Sequence, residues 1–216
     1  MPLDVVWQNL PYFALGVLTT LQVATFAIVV GLVIAPITAG MRLSGPAPVR
    51  WAVAAYVEIF RNTPLLVQLL VFYLGGPFVG LRLDGVQTVA ICLALNNGAY
   101  MSEIARGGLQ SVPKGQIDAA ASVGLSRSRT FVVIVLPQAF RTVYPALSNQ
   151  FIAVVLASSL GAVIGAPELT NQILTVNAQT FRTIELLAVL TVIYGLLTYA
   201  ISRITRSFGR RLERAY

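Results

Sequence analysis

Long apolar stretches separated by short polar connections are the feature of this 216-residue chain that most limits its fold. Charged residues make up only 11% of the sequence and hydrophobic residues 56%, whereas a soluble domain carries roughly 25% charged residues. A transmembrane helix needs about 20 mostly apolar residues. The sequence therefore predicts an all-α polytopic membrane protein with a single transmembrane domain. Five helices are predicted, over residues of about 13–40, 51–75, 86–106, 143–165 and 184–204.

The net charge of +7 indicates membrane orientation rather than nucleic-acid binding, because most basic residues fall on one side of a five-helix topology. The opposite side keeps mainly Arg82 and Arg182. Basic residues concentrate on the cytoplasmic side of membrane proteins, so the carboxyl terminus is predicted to be cytoplasmic and the amino terminus outside. The first apolar stretch is expected to be retained and not removed as a signal peptide. No basic segment precedes it, and no small-residue cleavage pattern follows it. The residues on the basic side are Arg42, Arg50, Arg106, Lys114, Arg127, Arg129, Arg141, Arg203, Arg206, Arg210, Arg211 and Arg214.

The most polar connection is the cytoplasmic loop, defined here as residues of about 107–140. Ser111 is predicted to cap a first helix that tolerates Pro113 in its first turn. Gly124 suits the left-handed position that ends such a helix. Ser126 is predicted to cap a second helix, which we expect Pro137 to stop.

A helix–glycine–helix outline is also typical of DNA-binding helix-turn-helix units. The second predicted helix, however, is apolar from Phe131 to Leu136 and offers no polar side to a DNA groove. Predicted membrane helices also flank it too closely for an independent domain. The loop is better interpreted as a short helix pair that docks in a partner's cleft, with small side chains at 119–121 and a charge at Asp118.

The residues GQIDAAASVGLSRSRTFVVIVLPQA resemble the EAA loop of ATP-binding-cassette (ABC) importer permeases. The spacing of the acidic residue, the two alanines, the glycine and the Ile-x-Leu-Pro ending is intact, although Asp118 stands where the family more often has glutamate. Three further stretches, 56–73, 98–116 and 158–170, resemble the subfamily that serves polar amino acids and opines. By this resemblance the ATPase-coupling residues are Gly115, Gln116, Asp118, Ala119, Ala120, Gly124, Leu136 and Pro137.

The resemblance implies the architecture of a type I ABC importer permease in a bacterial cytoplasmic (inner) membrane. It implies a dimer with a second copy or a paralogue, an ABC ATPase docked on each loop, and an extracytoplasmic amino-acid-binding protein. ATP and Mg²⁺ would be bound by the ATPase and no cofactor by this chain. Consistently, the only lysine, Lys114, follows Pro113, so no nucleotide-binding P-loop motif exists. We therefore expect a transporter subunit with no catalytic residue.

Polar residues within the predicted helices are the candidates for a substrate pathway. Asn96, Tyr100 and Glu103 follow the i, i+4, i+7 spacing of one helix face, and Asn97 lies beside them. These residues could line the pathway or join helices by hydrogen bonds, and the sequence supports both readings of the two asparagines equally. We expect Glu103 to lie near the cytoplasmic end, where it helps to set the cytoplasmic loop together with Arg106.

Pro64 is expected to kink the second helix. The flanking Thr63 and Gln68 could expose backbone groups to a substrate or simply accompany a structural kink. Glu58 and Arg61, at i, i+3, could neutralise each other. Glu168 could attract a cationic solute or contact the donor protein, but a solvated loop acid is the simpler interpretation. The tentative pathway residues are Thr63, Gln68, Asn96, Asn97, Tyr100 and Glu168.

Other function classes are less well supported. The chain has no histidine and one cysteine, which excludes an internal disulfide and a His/Cys metal site; Cys92 is expected to be a small buried hydrophobe. A gradient-driven transporter would need ionisable residues deep in the helices and inverted repeats. An intramembrane enzyme would need a catalytic constellation. The sequence leaves open which amino acid is moved. It also leaves open whether the dimer consists of two copies of this chain or of two paralogues.

Overall fold

The computed structural model describes residues 4–214, with side chains described as far as Gly209, so Arg210, Arg211 and Arg214 of the basic tail lie outside the described side chains. Within this part the regular structure is helical. The α-helices are α1 (Asp4–Gln8), α2 (Leu10–Ser44), α3 (Ala47–Asn62), α4 (Leu65–Leu70), α5 (Gly85–Gln110), α6 (Lys114–Ser122), α7 (Arg127–Thr130), α8 (Leu136–Ala157), α9 (Leu169–Thr180) and α10 (Thr183–Arg214). Two π-helical segments, Val71–Gly75 and Phe131–Val135, and two 3₁₀ segments, Gly76–Val79 and Ser158–Ile164, join or extend them.

Among the described residues, three helical segments are long and apolar enough to cross a membrane: Leu10–Ser44, Arg127–Ile164 and Thr183–Gly209. A bent pair, Ala47–Asn62 with Leu65–Val79, could form a fourth crossing. The 26 residues of α5 would extend about 39 Å, but polar residues lower its hydropathy and it is not among these segments. The all-α membrane architecture is confirmed, whereas the count of five crossings stays a prediction.

Small residues on α2 let it pack closely against α5. The buried positions of α2 include Gly16, Ala24, Ala27, Gly31, Ala35 and Ala39, which recur about every turn. A Cβ atom on Gly31 would lie 2.4 Å from Asn97 Nδ2 on α5. Helix interfaces in membranes favour small residues because packing, not water exclusion, holds the helices together. This interface makes α5 the central helix, with α3 and α8 packed on its other sides.

The predicted kink at Pro64 is confirmed, because α3 and the segment that follows it meet at 106°. Thr63, between them, is extended with φ −110° and ψ 140°. The expected pairing of Glu58 with Arg61 is not the one formed. Instead, Arg61 Nη1 lies 3.7 Å from Glu103 Oε2 on α5. The bend carries Arg61 toward α5, and this contact could not be read from spacing along α3.

The prediction that Pro137 stops the second loop helix is wrong. The helix runs on from Arg127 to Ile164, with Pro137 in the first turn of α8. The π segment before it has a wider turn, in which Leu136 N donates to Phe131 O. This i→i+5 pattern accommodates the missing proline donor without a break. The second half of the cytoplasmic loop is therefore continuous with the fourth predicted membrane helix.

The connection before α10 is also more ordered than expected. Residues predicted as an outer loop form α9. Gly161 packs closely, since an added Cβ would lie 2.8 Å from Val89 Cγ2, but Gly165 has φ +73° and no neighbour within 4 Å of an added Cβ. Gly165 therefore makes a left-handed turn and not a helix packing contact.

Two adjacent glycines test the α5–α8 packing. A Cβ on Gly108 would lie 2.2 Å from Val143 Cγ1 and 3.0 Å from the fixed Ala139 carbonyl oxygen, whereas one on Gly107 meets nothing within 4 Å. We expect Gly108→Ala to lower the free energy of unfolding by about 1–3 kcal/mol through overpacking. Gly107→Ala, the matched control, should be neutral or slightly stabilising. Thermal unfolding of the purified variants in detergent checks both, and equal midpoints would contradict this packing.

Candidate functional site

The cytoplasmic loop begins with a sharp turn between α5 and α6. The expectation that Ser111 caps the first loop helix is wrong. Its hydroxyl donates to Gly108 O at 2.7 Å, and its backbone N–H ends α5 by donating to Gly107 O at 3.0 Å. The residue that precedes α6 is Pro113, which has no side-chain cap. The turn is thus built from the end of α5.

Gly124 ends α6 as predicted. It has φ +80°, and its N–H donates to Ala121 O at 3.0 Å while Leu125 N donates to Ala120 O at 3.0 Å. These two bonds form a Schellman motif, which favours glycine at the left-handed position. The predicted cap at Ser126 is also confirmed, since its Oγ accepts from Arg129 N at 3.4 Å. Local chemistry therefore sets the geometry of this end of the loop.

Most of α6 is presented to its surroundings. Of the predicted coupling residues, Ala120 is buried and Pro137 is half-buried. Gln116 is fixed to α8 by the side chain of Gln138, whose Nε2 donates to Gln116 Oε1 at 2.6 Å. Val123, beside the turn, is 77% exposed. The remaining coupling residues are exposed: Gly115, Gln116, Asp118, Ala119, Gly124 and Leu136. This arrangement leaves one face of α6 available to a partner.

A polar cluster fills the break at Pro64 and brings three of the predicted pathway residues together. Gln68 Nε2 donates to Phe60 O at 3.0 Å and to Thr63 O at 3.1 Å, and Asn96 Nδ2 donates to Phe60 O at 2.9 Å. A further bond of 3.2 Å joins Asn96 Nδ2 to Gln68 Oε1. These bonds satisfy the carbonyl groups that the break frees. They are the contacts expected of the structural alternative, and a pathway role for these residues stays a prediction.

Asn97 belongs to a different cluster from Asn96. It is 1% exposed, donates to Ala27 O at 2.9 Å and accepts from Gln150 Nε2 at 3.2 Å. Its amide thus joins α2, α5 and α8. Gln150 was not among the residues predicted from sequence, although the same criterion of a polar residue in an apolar helix would have identified it. Tyr100 remains on the face of Asn96, with its hydroxyl donating to Arg61 O at 3.3 Å.

The expectation that Glu168 is a solvated loop acid is wrong, because its side chain is 1% exposed. It caps α9 by accepting from Thr170 N at 2.9 Å and Asn171 N at 2.8 Å. Tyr194 Oη on α10 also donates to it at 3.0 Å. Burial raises the pKa of the Glu168 carboxyl, and these hydrogen bonds oppose the rise. Its burial follows from the close approach of α9 to α2, where an added Cβ on Gly16 would lie 2.8 Å from Leu169 Cα.

Glu103, which was expected to set the cytoplasmic loop together with Arg106, accepts hydrogen bonds from that residue, from Nε at 3.0 Å and from Nη2 at 2.7 Å. Two further arginines, Arg42 and Arg61, also reach this carboxylate. Neither contact was predicted from sequence, because Arg42 and Arg61 lie 61 and 42 residues away from Glu103 and carry no local signal. Among the described side chains no group of three His, Cys, Asp or Glu residues is arranged to hold a metal ion.

Comparison with known proteins decides the family. Residues 27–215 match the family described as binding-protein-dependent transport system inner membrane component. The chain belongs to that family. It is a transport permease subunit and a multi-pass inner-membrane protein.

Curated relatives align with this permease over almost its whole length. It is 35% identical to the probable glutamine ABC transporter permease protein GlnM of Bacillus subtilis (strain 168), with 100% of each chain covered. It is 36% identical to the octopine transport system permease protein OccM of Rhizobium radiobacter, with 94% of this chain and 88% of the relative covered. A crystal structure of an amino acid ABC transporter with histidines matches at a TM-score of 0.89 and 33% identity, covering 95% of this chain and 96% of that one.

The role of Asn97 in joining helices can be tested with an asparagine on α8 as the control, Asn149, which precedes the Asn97 partner Gln150. We expect Asn97→Ala to lower the free energy of unfolding by about 1 kcal/mol, in the range of interhelical hydrogen bonds in membranes, because it removes a buried link among three helices. Asn149→Ala is the matched control, since Asn149 is exposed on α8, and should unfold like the parent protein. Thermal unfolding in detergent provides the measurement. Identical midpoints for the two variants would contradict the connector role.

Proposed function

We propose that the chain is the membrane subunit of an ATP-driven importer that moves a polar amino acid across the cytoplasmic membrane by alternating access. The observation that carries this proposal is the full-length similarity to permeases named for glutamine and, over most of the chain, for octopine. The structural match to an amino acid ABC transporter supports it. Because the relatives are named for different solutes, the proposal specifies the class of substrate and leaves the individual amino acid open.

Energy enters through a separate ABC ATPase that binds ATP and Mg²⁺ and docks on the exposed face of α6. Three features of the loop support this assignment. The face carries one acidic side chain, Asp118, beside the small side chain of Ala119. The Schellman turn at Gly124 fixes its end. The bond between Gln116 and Gln138 connects α6 to the helix that continues into the membrane.

The functional unit is a dimer of two copies of this chain or of this chain and a paralogue. An extracytoplasmic binding protein delivers the amino acid to the side opposite the loop. The amino terminus lies outside and the carboxyl terminus inside, as the distribution of basic residues favours. Thr63, Gln68, Asn96 and Tyr100 are the pathway residues that we retain as candidates.

Reversal of the charge at Asp118 tests the docking surface. We expect Asp118→Arg to abolish co-purification of the ATPase and ATP-driven amino acid uptake, because it places a large cation within a surface of small side chains. Asp118→Glu, the acid more frequent in the family, should retain both. Ser207→Arg adds the same charge at an exposed position of α10 and should also retain both.

The measurements are co-purification in mild detergent and uptake into proteoliposomes that contain the ATPase and the binding protein. Normal uptake by Asp118→Arg would contradict docking on α6. Uptake by the parent protein that persists with an inactive ATPase would instead favour a gradient-driven transporter.

A further inference from the structure

One carboxylate holds the ends of three helices together on the predicted cytoplasmic side. The Glu103 cluster consists of Glu103 with Arg42, Arg61 and Arg106. Arg42 lies in the last turn of α2 and Arg61 in the last turn of α3, while Glu103 and Arg106 lie near the end of α5. The Glu103 side chain is only 15% exposed. Each arginine is near a helix carboxyl terminus, where the helix dipole favours positive charge.

The three ion pairs are not equivalent. Arg106, on the same helix, donates two short hydrogen bonds to Glu103, at 3.0 and 2.7 Å, and Arg42 is hydrogen-bonded to Oε1, the oxygen that also accepts from Arg106 Nε. Arg61 is the outer partner, at 3.7 Å from Oε2 and 40% exposed. Its guanidinium also stacks over the ring of Tyr100, 5.3 Å from the centroid. Arg61 therefore lies between two side chains of α5, Glu103 and Tyr100, and its ion pair with Glu103 is the weakest of the three.

The Glu103 cluster connects the cytoplasmic loop to the break at Pro64, between α3 and α4. Glu103 stands two turns before the end of α5, and only three residues separate α5 from α6. Arg61 stands three residues before Pro64, and its neighbour Phe60 supplies the carbonyl that Gln68 and Asn96 bind. A displacement of α6 that moves the end of α5 would therefore pull on Arg61 and, through it, on the polar cluster at the break.

Neutralisation alone does not explain this arrangement. One carboxylate faces three guanidinium groups, so the cluster keeps a net positive charge. Arg61 also has an acid on its own helix, Glu58 at i−3, yet the ion pair it forms among the described residues is to α5. The arrangement joins three helices at the expense of charge balance.

We propose that Glu103 is a positioning residue of the transport cycle, whose ion pair with Arg61 transmits movement of the cytoplasmic loop to the break at Pro64. The pair with Arg42 holds α2 to α5 as the body against which this movement acts, and Arg106, on α5 itself, fixes the position of the carboxylate. The inference rests on the proposed function, because it needs a partner ATPase that displaces the loop. It adds the side chains through which that displacement reaches the membrane helices.

Arg61→Ala carries the test, since it removes the outer pair and leaves the two inner ones. Glu103→Gln would leave three arginines without their carboxylate and is used only as the second mutation of a double-mutant cycle. In proteoliposomes with the ATPase and the binding protein, we expect Arg61→Ala to lower the amount of amino acid imported per ATP hydrolysed by about fivefold or more, a typical lower bound for coupling between sites. ATPase co-purification and ATP hydrolysis should be retained.

The controls separate transmission from stability. Arg61→Lys keeps a positive charge near Glu103 and should restore at least half of the lost import-to-hydrolysis ratio. Arg182→Ala removes another arginine–glutamate pair, with Glu185 at 3.3 Å, far along the chain from the loop, and should leave the ratio unchanged. In the Glu103→Gln background, Arg61→Ala should cause no further loss, as expected when two residues act through one contact.

An unchanged ratio in Arg61→Ala, or a parallel loss of import and hydrolysis, would overturn the inference and leave the proposed function intact. Failure of the parent protein to import with ATP would overturn the proposed function and the inference together. Because the parent protein is measured first, the two failures are distinguishable.

Discussion

The fold depends on satisfying the backbone carbonyl groups that lose their donors at Pro64, where the second predicted membrane helix breaks between α3 and α4. Pro64 cannot donate a hydrogen bond, and an unsatisfied backbone group within a membrane costs several kcal/mol. The side chain of Gln68 compensates by donating to Phe60 O and Thr63 O, and Asn96 brings α5 into the same cluster. This compensation permits a bend of 106° and fixes its position against the central helix.

The break and the cytoplasmic loop lie at opposite ends of one physical connection. The end of α5 and the Glu103 cluster lie between them. In this cluster Glu103 binds arginines from α2, from α3 and from α5 itself. The rigid features are at the loop, where a Schellman turn and a helix continuous with α8 fix the geometry. The weaker contact, at Arg61, lies where an importer would need movement.

Local chemistry was predictable from sequence, and tertiary contacts were not. Gly124 acts through its freedom to adopt a positive φ and Pro64 through its missing N–H and fixed φ, so both the left-handed turn and the kink could be inferred. Pro137 also lacks a backbone donor and was expected to end its helix. The π-helical turn before it accommodates the missing donor, and the helix continues. Glu168 was predicted to be solvated because its burial depends on α9 packing against α2. Asn96 and Asn97 differ by one position, yet they join different helices, and spacing alone could not assign their partners.

The most direct test of the account is a cross-link from α6 to the ATPase. Cys92 is the only cysteine in the chain and is buried, so a Cys92→Ala background allows single cysteines to be placed at will. In membranes that contain the ATPase, we predict that Ala119→Cys forms a cross-link to it with a short bifunctional reagent. Phe78→Cys, 92% exposed in the predicted outer connection, should form none. Cross-linking from position 78, or none from 119 in a complex that imports, would contradict the assignment of the loop as the docking site.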